Sequence, residues 1–194
     1  TPMVISWPNR IKPDKTPRPQ FHHVNDVVPT IYEILGITPP KVVDGHNQDP
    51  IDGVSFAYTY DSPDAPEQKK TQSFDSMGSR GIYHEGWMAS TFGPKKPWVA
   101  DAIDLSKWDP MEDRWELFDT RKDFSLMRDL AAEHPDKLEE LKALFMEVAE
   151  ENQALPIGGG LFTPFNPQEQ KRSTNTEWTL FDGMTRIPES QAPN

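Results

Sequence analysis

His23-Val-Asn-Asp-Val-Val-Pro-Thr-Ile-Tyr-Glu-Ile-Leu-Gly-Ile37 holds the clearest local code in this chain. Asn25 or Asp26 can cap a helix, because a short polar side chain accepts from the unpaired N–H groups of a first turn. Pro29 falls in that turn, where no backbone N–H is required. Val27, Val28, Ile31, Ile34 and Leu35 make one apolar face, and Gly36 supplies a left-handed stop that Pro39 and Pro40 reinforce. Upstream, Val4, Ile5 and Trp7 form a short apolar run ended by Pro8, which reads as a buried strand of a parallel or mixed sheet. The connector 8–20 carries Pro8, Pro13, Pro17 and Pro19 with Arg10, Lys12, Lys15 and Arg18, as a solvated loop does. Strand, loop and helix are half of an α/β unit.

Further on, Asp44-Gly45 and Asp52-Gly53 mark turns around the apolar run Val54 to Tyr60, and a boundary is expected near residues 61 to 70. Gln72 to Ser76, Arg80 to His84, Gly86 to Thr91 and Trp115 to Phe118 are short, aromatic-rich and divided by Gly or Pro, which predicts a small antiparallel sheet. A long helix is expected from Pro135 to about Ala154, with Asp136 near its positive end. Its stripe of Leu138, Leu141, Leu144, Phe145 and Val148 should pack on that sheet. After Leu155-Pro156-Ile157 and Gly158 to Gly160 comes a tail of little periodicity, with apolar pieces such as Trp178-Thr-Leu-Phe181. The expected fold class is α/β. Residues 1–60 form the edge of a large mixed sheet, 61–157 a small antiparallel β-sheet subdomain packed by one long α-helix, and 158–194 an irregular tail leading to a further domain.

Composition narrows function by exclusion. Among 194 residues, 31 acids against 20 Lys and Arg give a formal charge of -11, so nucleic-acid binding has little electrostatic support and solubility is favoured. No apolar stretch approaches the roughly 20 residues that span a bilayer. The absence of Cys removes disulfides and thiolate chemistry together. A hydrophobic content of 35%, with 20 prolines, suggests segments that rest against other protein. The opening Thr1-Pro-Met-Val-Ile-Ser-Trp-Pro, an apolar run with no initiator Met, leads us to expect a chain that starts inside a larger protein.

Each residue grouping that could carry chemistry also has a structural reading. His22, His23 and Asp26 lie close at a strand-to-helix junction, where a general acid or ligand could sit, but no nucleophile or third ligand falls at useful spacing. Asp44, His46, Asn47, Asp49 and Asp52 are oxygen-rich yet fail the EF-hand order, so a polar turn cluster is the reading adopted. Gly158 to Gly160 lacks the Lys-Ser/Thr of a phosphate loop. Lys69-Lys70, Lys95-Lys96 and Lys171-Arg172 could draw in an anionic ester but read first as solvated surface. Trp87, Trp98, Trp108 and Trp115 could stack on an aryl or sugar group but read first as sheet core.

The ordered series resembles the formylglycine-dependent sulfatases of the alkaline-phosphatase superfamily. Residues 1–8 resemble their late core strand, and residues 23–37 resemble the helix with Asp, two residues, Pro-Thr, then Leu-Gly. Asp52-Gly-Val-Ser-Phe56 resembles the loop that follows, and Gly78-Ser-Arg-Gly-Ile-Tyr-His-Glu-Gly-Trp87 an arginine-containing hairpin. Trp115-Glu-Leu-Phe-Asp119, Asp123 and Asp129-Leu-Ala131 resemble a "Glu-Leu-Tyr-Asp, Asp-Pro, Asn-Leu-Ala" series, with Phe124 in place of Pro and Asp129 in place of Asn. The tail around Thr176-Glu-Trp-Thr-Leu-Phe181 resembles longer bacterial arylsulfatases.

The resemblance implies the C-terminal portion of a soluble bacterial enzyme of the cytoplasm or periplasm that hydrolyses small sulfate esters, aryl sulfates above all. A formylglycine hydrate would attack sulfur while calcium or another divalent cation and positive side chains stabilise the developing charge. The Cys-x-Pro-x-Arg motif that yields formylglycine is missing from this chain, as are the cation's ligands. The catalytic residues are therefore expected upstream of Thr1, in an N-terminal part that partners this chain. His22 and His23 are the candidates for the rim of the substrate pocket. The rival readings are a phosphodiesterase or phosphonate monoester hydrolase of the same superfamily, or a non-catalytic interaction module.

Overall fold

The structure is a computed structural model, and it describes residues 2–76, 78–94 and 108–157. Gly158 to Gly160, Trp178 to Phe181, Trp98, Lys95-Lys96 and Lys171-Arg172 lie outside the described residues.

A 3-10 turn at Val24–Asp26 leads into α1, Val27–Leu35, which Gly36 ends with φ of 65°. β1 (Val42–Val43) and β2 (His46–Asn47) pair as a short hairpin whose two-residue turn, Asp44-Gly45, takes positive φ at both positions. A second 3-10 turn follows at Ala57–Thr59. β3 (Thr71–Ser76), β4 (Ser79–His84), β5 (Trp87–Thr91) and β6 (Glu116–Asp119) form an antiparallel meander in that order. α2 runs from Pro135 to Glu151, three residues short of the expected end.

Register explains the core. Ser73 pairs with Ile82, Ile82 with Ala89, and Ala89 with Leu117, so one row of side chains crosses all four strands on one face. Leu141, Phe145 and Ala149 of α2, spaced four apart, bury against Ile82, Ala89 and Leu117, with Leu138, Leu144, Val148, Trp87 and Trp115 packed around them. The expected helix-on-sheet packing is therefore present. Between β4 and β5 the turn Glu85-Gly86 has φ of 46° and 86°, and a Cβ at Gly86 would meet Arg121 Cδ at 2.7 Å. The opposite sheet face receives the chain before α1. Phe21 stacks on Tyr83 at 3.8 Å between ring centroids and meets Phe74 edge-on.

Two expectations need correction. Residues 4–7 form no strand, because a strand exists only through a ladder partner and none of the described residues supplies one. The α1 face read as core is largely open: Val28, Ile31 and Leu35 are exposed, while the buried residues at this helix are Asp26 and Thr30. The structure is a mixed α/β arrangement of a four-stranded sheet, a two-stranded sheet and their helices.

Leu141 is completely buried, so Leu141→Asp should cost more than about 3 kcal/mol and abolish the native melting transition. A melting curve like that of the parent chain would overturn the packing of α2 on the sheet.

Candidate functional site

Asp26 lies at the centre of the His22–Asp26 cluster and does more than cap a helix. It occupies the cap position of α1 but makes no capping hydrogen bond there. Its Oδ2 accepts from the backbone N–H of His23 at 2.7 Å, and its Oδ1 accepts from Val54 N–H at 2.9 Å. The Lys69 ammonium donates to the same Oδ1 at 3.0 Å, to Asn25 Oδ1 at 3.1 Å and to the Asp52 carbonyl at 3.5 Å. Both partners are buried, at 0% and 3% side-chain exposure. Lys69 is thus not the solvated surface cation that its place beside Lys70 suggested. Lys70 does follow that expectation, reaching Glu85 on the surface at 3.6 Å.

Thr30 extends the joint. Its hydroxyl donates to the Asp26 carbonyl at 2.6 Å and accepts from Phe56 N–H at 3.0 Å. Gly53 lets the loop close in, since a Cβ there would stand 2.1 Å from the Asn25 carbonyl oxygen. The Asp26, Pro29-Thr30 and Asp52-Gly-Val-Ser-Phe56 stretches are therefore two halves of one contact.

The two histidines part company. His22 turns toward Phe56 and Tyr58, with its Nδ1 buried, unpartnered and 4.0 Å from Asp26 Oδ2. Burial holds its imidazole below the ordinary histidine value, against the pull of Asp26 and Glu67. His23 packs edge-on against Phe74 and lines an open groove of about 480 Å3 on the sheet face away from α2. Phe74, Gly81 and Met88 give that groove an apolar floor, and Ser76, Ser79 and Ser90 give it hydroxyls. A polar recess of about 220 Å3 lies beside the ion pair, with Asn25, Asp52, Gln72 and Asn152 on its walls.

No described grouping completes a catalytic relay. Thr71 Oγ1 is 2.8 Å from His84 Nδ1 across the β3–β4 pair, but Glu85, the carboxylate near the other ring nitrogen, stands exposed at 4.0 Å. Among the described residues no three His, Cys, Asp or Glu could hold a metal ion. Asp44, His46 and Asn47 lie exposed on the β1–β2 hairpin. Arg10 pairs with Asp61 and Arg18 donates to the Thr59 carbonyl, so the basic connector is tied to the end of the second 3-10 turn and the chain just after it. Trp87 and Trp115 pack at the core edge beneath Arg121 and Arg80, and Trp108 donates to Asp113 at 3.0 Å. A second polar joint was not legible in the sequence. Glu67 accepts from Phe21 N–H and from the Tyr83 hydroxyl, and burial followed by Glu67 raises the Tyr83 pKa.

Asp129, which stands where the resemblance expects Asn, has a plain structural role. Asp129 Oδ1 accepts from the N–H groups of Leu117 and Ala131, and its Oδ2 from Arg114. An Asn oxygen could accept the same two backbone bonds, so the motif tolerates either residue. Burial works to raise the Asp129 pKa, yet these donors outweigh it and lower the value. Phe124, in place of Pro, is open to solvent.

No family model matches the chain, and no curated protein matches it. Solved structures with partial likeness include a Bacteroides thetaiotaomicron protein of glycosaminoglycan metabolism designated BT33336S-sulf, at 18% identity and a TM-score of 0.40, over 63% of this chain and 24% of that chain. Another is BT4656 in complex with its substrate D-glucosamine-2-N,6-O-disulfate, at 18% identity and a TM-score of 0.42, over 69% of this chain and 25% of that chain. A third is Ps i-CgsB, at 15% identity and a TM-score of 0.40, over 64% of this chain and 23% of that chain. The chain spans about a quarter of the length of each. Among the described residues no helix is long and apolar enough to cross a membrane.

Removing one partner of the buried pair leaves the other charge stranded, so Asp26→Asn and Lys69→Met should each cost about 3–5 kcal/mol in urea unfolding. The double variant should cost clearly less than the sum, and strict additivity would show that the pair is not coupled. For His22 the lowered folded pKa means that the unfolded chain binds the proton more readily. Stability supplied by neutral His22 is present above about pH 6.5 and is lost as pH falls below it. His22→Gln should flatten that acid limb, and an unchanged slope would refute the assignment.

Proposed function

We propose that this chain is the C-terminal supporting part of a sulfatase that hydrolyses small sulfate esters, aryl sulfates among them. The observation that carries the reading is the use made of the family-like polar residues. Asp26, Thr30 and Asp129 join segments apart in the chain, Gly53 gives one of those joints its close approach, Asp119 closes the turn after β6, and among the described residues none belongs to a metal-ligand cluster. A chain whose distinctive residues are spent on joints serves to hold a shape. The resemblance assigns that shape to the wall of a sulfatase pocket, with His23, on the groove of the sheet's outer face, as the rim residue in reach of a ligand.

Formylglycine and calcium belong to the same reading. The described residues do not fit either group: there is no Cys to convert, and no ligand cluster. No chemical step is therefore assigned to this chain, and the reaction would be carried by the protein's other part. His22, turned inward on Phe56 and Tyr58, would support that rim from behind.

The test compares the 194-residue chain with the protein expressed from its whole reading frame, using para-nitrophenyl sulfate, a glucosamine 6-O-sulfate and bis-para-nitrophenyl phosphate. The whole protein should release sulfate and leave the phosphodiester nearly untouched, and the shorter chain should turn over none of the three. Robust metal-dependent turnover by the shorter chain would place chemistry within it. Preference for the phosphodiester would transfer the protein to the phosphoester branch of the same superfamily.

A further inference from the structure

His22 stands where three segments meet. Its ring faces Phe56 at 5.3 Å and Tyr58 at 6.2 Å between ring centroids, the residues that flank Ala57 in the second 3-10 turn. The side chain is 19% exposed, and its buried Nδ1 has no hydrogen-bond partner. The charged groups that act on the ring are Asp26 from the start of α1, and Glu67 and Lys69 from the stretch before β3. The turn offers the Tyr58 hydroxyl, which accepts from Gln68 N–H at 3.3 Å.

This place suits a neutral ring and opposes a charged one. Protonation puts an N–H on both nitrogens, so Nδ1 would become a buried charged donor with nothing to receive it. Asp26 Oδ2 lies 4.0 Å away, beyond hydrogen-bond reach. Its carboxylate already accepts from the N–H groups of His23 and Val54 and from the Lys69 ammonium, which balances its charge at 3.0 Å. Burial accordingly outweighs the pull of Asp26 and Glu67 on this ring. Turning the ring out to water takes it off Phe56 and Tyr58, and leaves the Val54 and Phe56 N–H bonds to Asp26 and Thr30 to hold the turn.

We propose that His22 is an acid-operated latch between the second 3-10 turn and the start of α1. Neutral, its ring stays packed on Phe56 and Tyr58; on taking up a proton it swings to water and the turn loosens, while the sheet and α2 stay closed. The cost of protonation thus falls on one turn rather than on the whole chain. His23 follows on extended backbone, with φ of -125° and ψ of 161°, so the two rings sit on opposite sides of the segment. The proton is sensed behind the stretch whose other side walls the groove. The latch requires no sulfate-ester chemistry and stands apart from the proposed function.

In the open state His22 titrates at the ordinary histidine value of about 6.5, above its value in the closed state, so closure is favoured above that pH and weakens as pH falls below it. One proton per opening limits the effect to about tenfold between roughly pH 7.5 and 5.5. Amide hydrogen exchange of the protein expressed from the whole reading frame, corrected for the intrinsic pH dependence of exchange, reads this in peptides spanning 54–60 and, as the control, 79–91 of β4 and β5. Opening of 54–60 should rise by about three- to tenfold over that range with the control unchanged. His22→Gln should abolish the rise, and His23→Gln should keep it. No rise, a fall that marks a proton shared with Asp26, an equal rise in the sheet, or a rise that survives His22→Gln would each overturn the latch. A second readout needs no variant: the NMR signal of the His22 ring should titrate over the same range as the opening, and a ring that keeps one protonation state throughout would overturn the latch as well.

Discussion

The ion pair between Asp26 and Lys69 is the constraint on which the rest of the arrangement depends. A carboxylate and an ammonium taken this far from water lose hydration that their mutual attraction offsets only when every remaining donor and acceptor is matched. Here they are matched. Two backbone N–H groups and the ammonium satisfy the carboxylate, while Asn25 and the Asp52 carbonyl complete the ammonium. Because those partners come from the start of α1, the 52–54 loop and the residue two before β3, the pair fixes the helix, the loop and the sheet relative to one another. Such a pair adds little net stability over an apolar replacement, and its effect lies in specifying one arrangement.

The same economy recurs around the sheet. The apolar row from Ile82 through Ala89 to Leu117 supplies the burial beneath α2, and polar side chains then lock the edges. Asp119 accepts from Arg121, with Lys122 close by; Arg121 is the leading cause of its lowered pKa. Thr120 closes on the Gly86 carbonyl, and Asp129 holds the chain beside β6. On the far face, Glu67 joins Phe21 to Tyr83 and seats the segment leading into α1. A few buried polar residues, Asp26, Thr30, Lys69 and Arg80 among them, are thus spent on the chain's own joints. The open apolar residues, by contrast, gather at 3–7 and along α1.

Much of the architecture was legible in the residues. The four strands, the Gly36 stop, the Asp44-Gly45 turn and the α2 stripe each rest on a local rule: alternation, left-handed glycine, two-residue turn chemistry or helical spacing. Those rules act within a few residues, so they survive without knowledge of distant partners. The candidate site was legible only in part. His22, His23 and Asp26 stand together in the sequence, but the orientations of the two rings, one inward and one onto the groove, depend on Phe56, Tyr58 and Phe74 from elsewhere in the chain.

Lys69 and the run 4–7 show where local reading stops. A lysine beside another lysine has no local mark of burial; it became buried because a carboxylate 43 residues away needed a counter-charge. The run at 4–7 carries the composition of a strand but not its condition, since a ladder needs a second chain segment to receive its hydrogen bonds. Composition, periodicity and caps determined which segments are helix, turn and sheet, because those preferences are written in neighbouring residues. Tertiary structure alone decided which charges are buried and which apolar faces stay open, because burial is a property of what lies across from a residue rather than beside it.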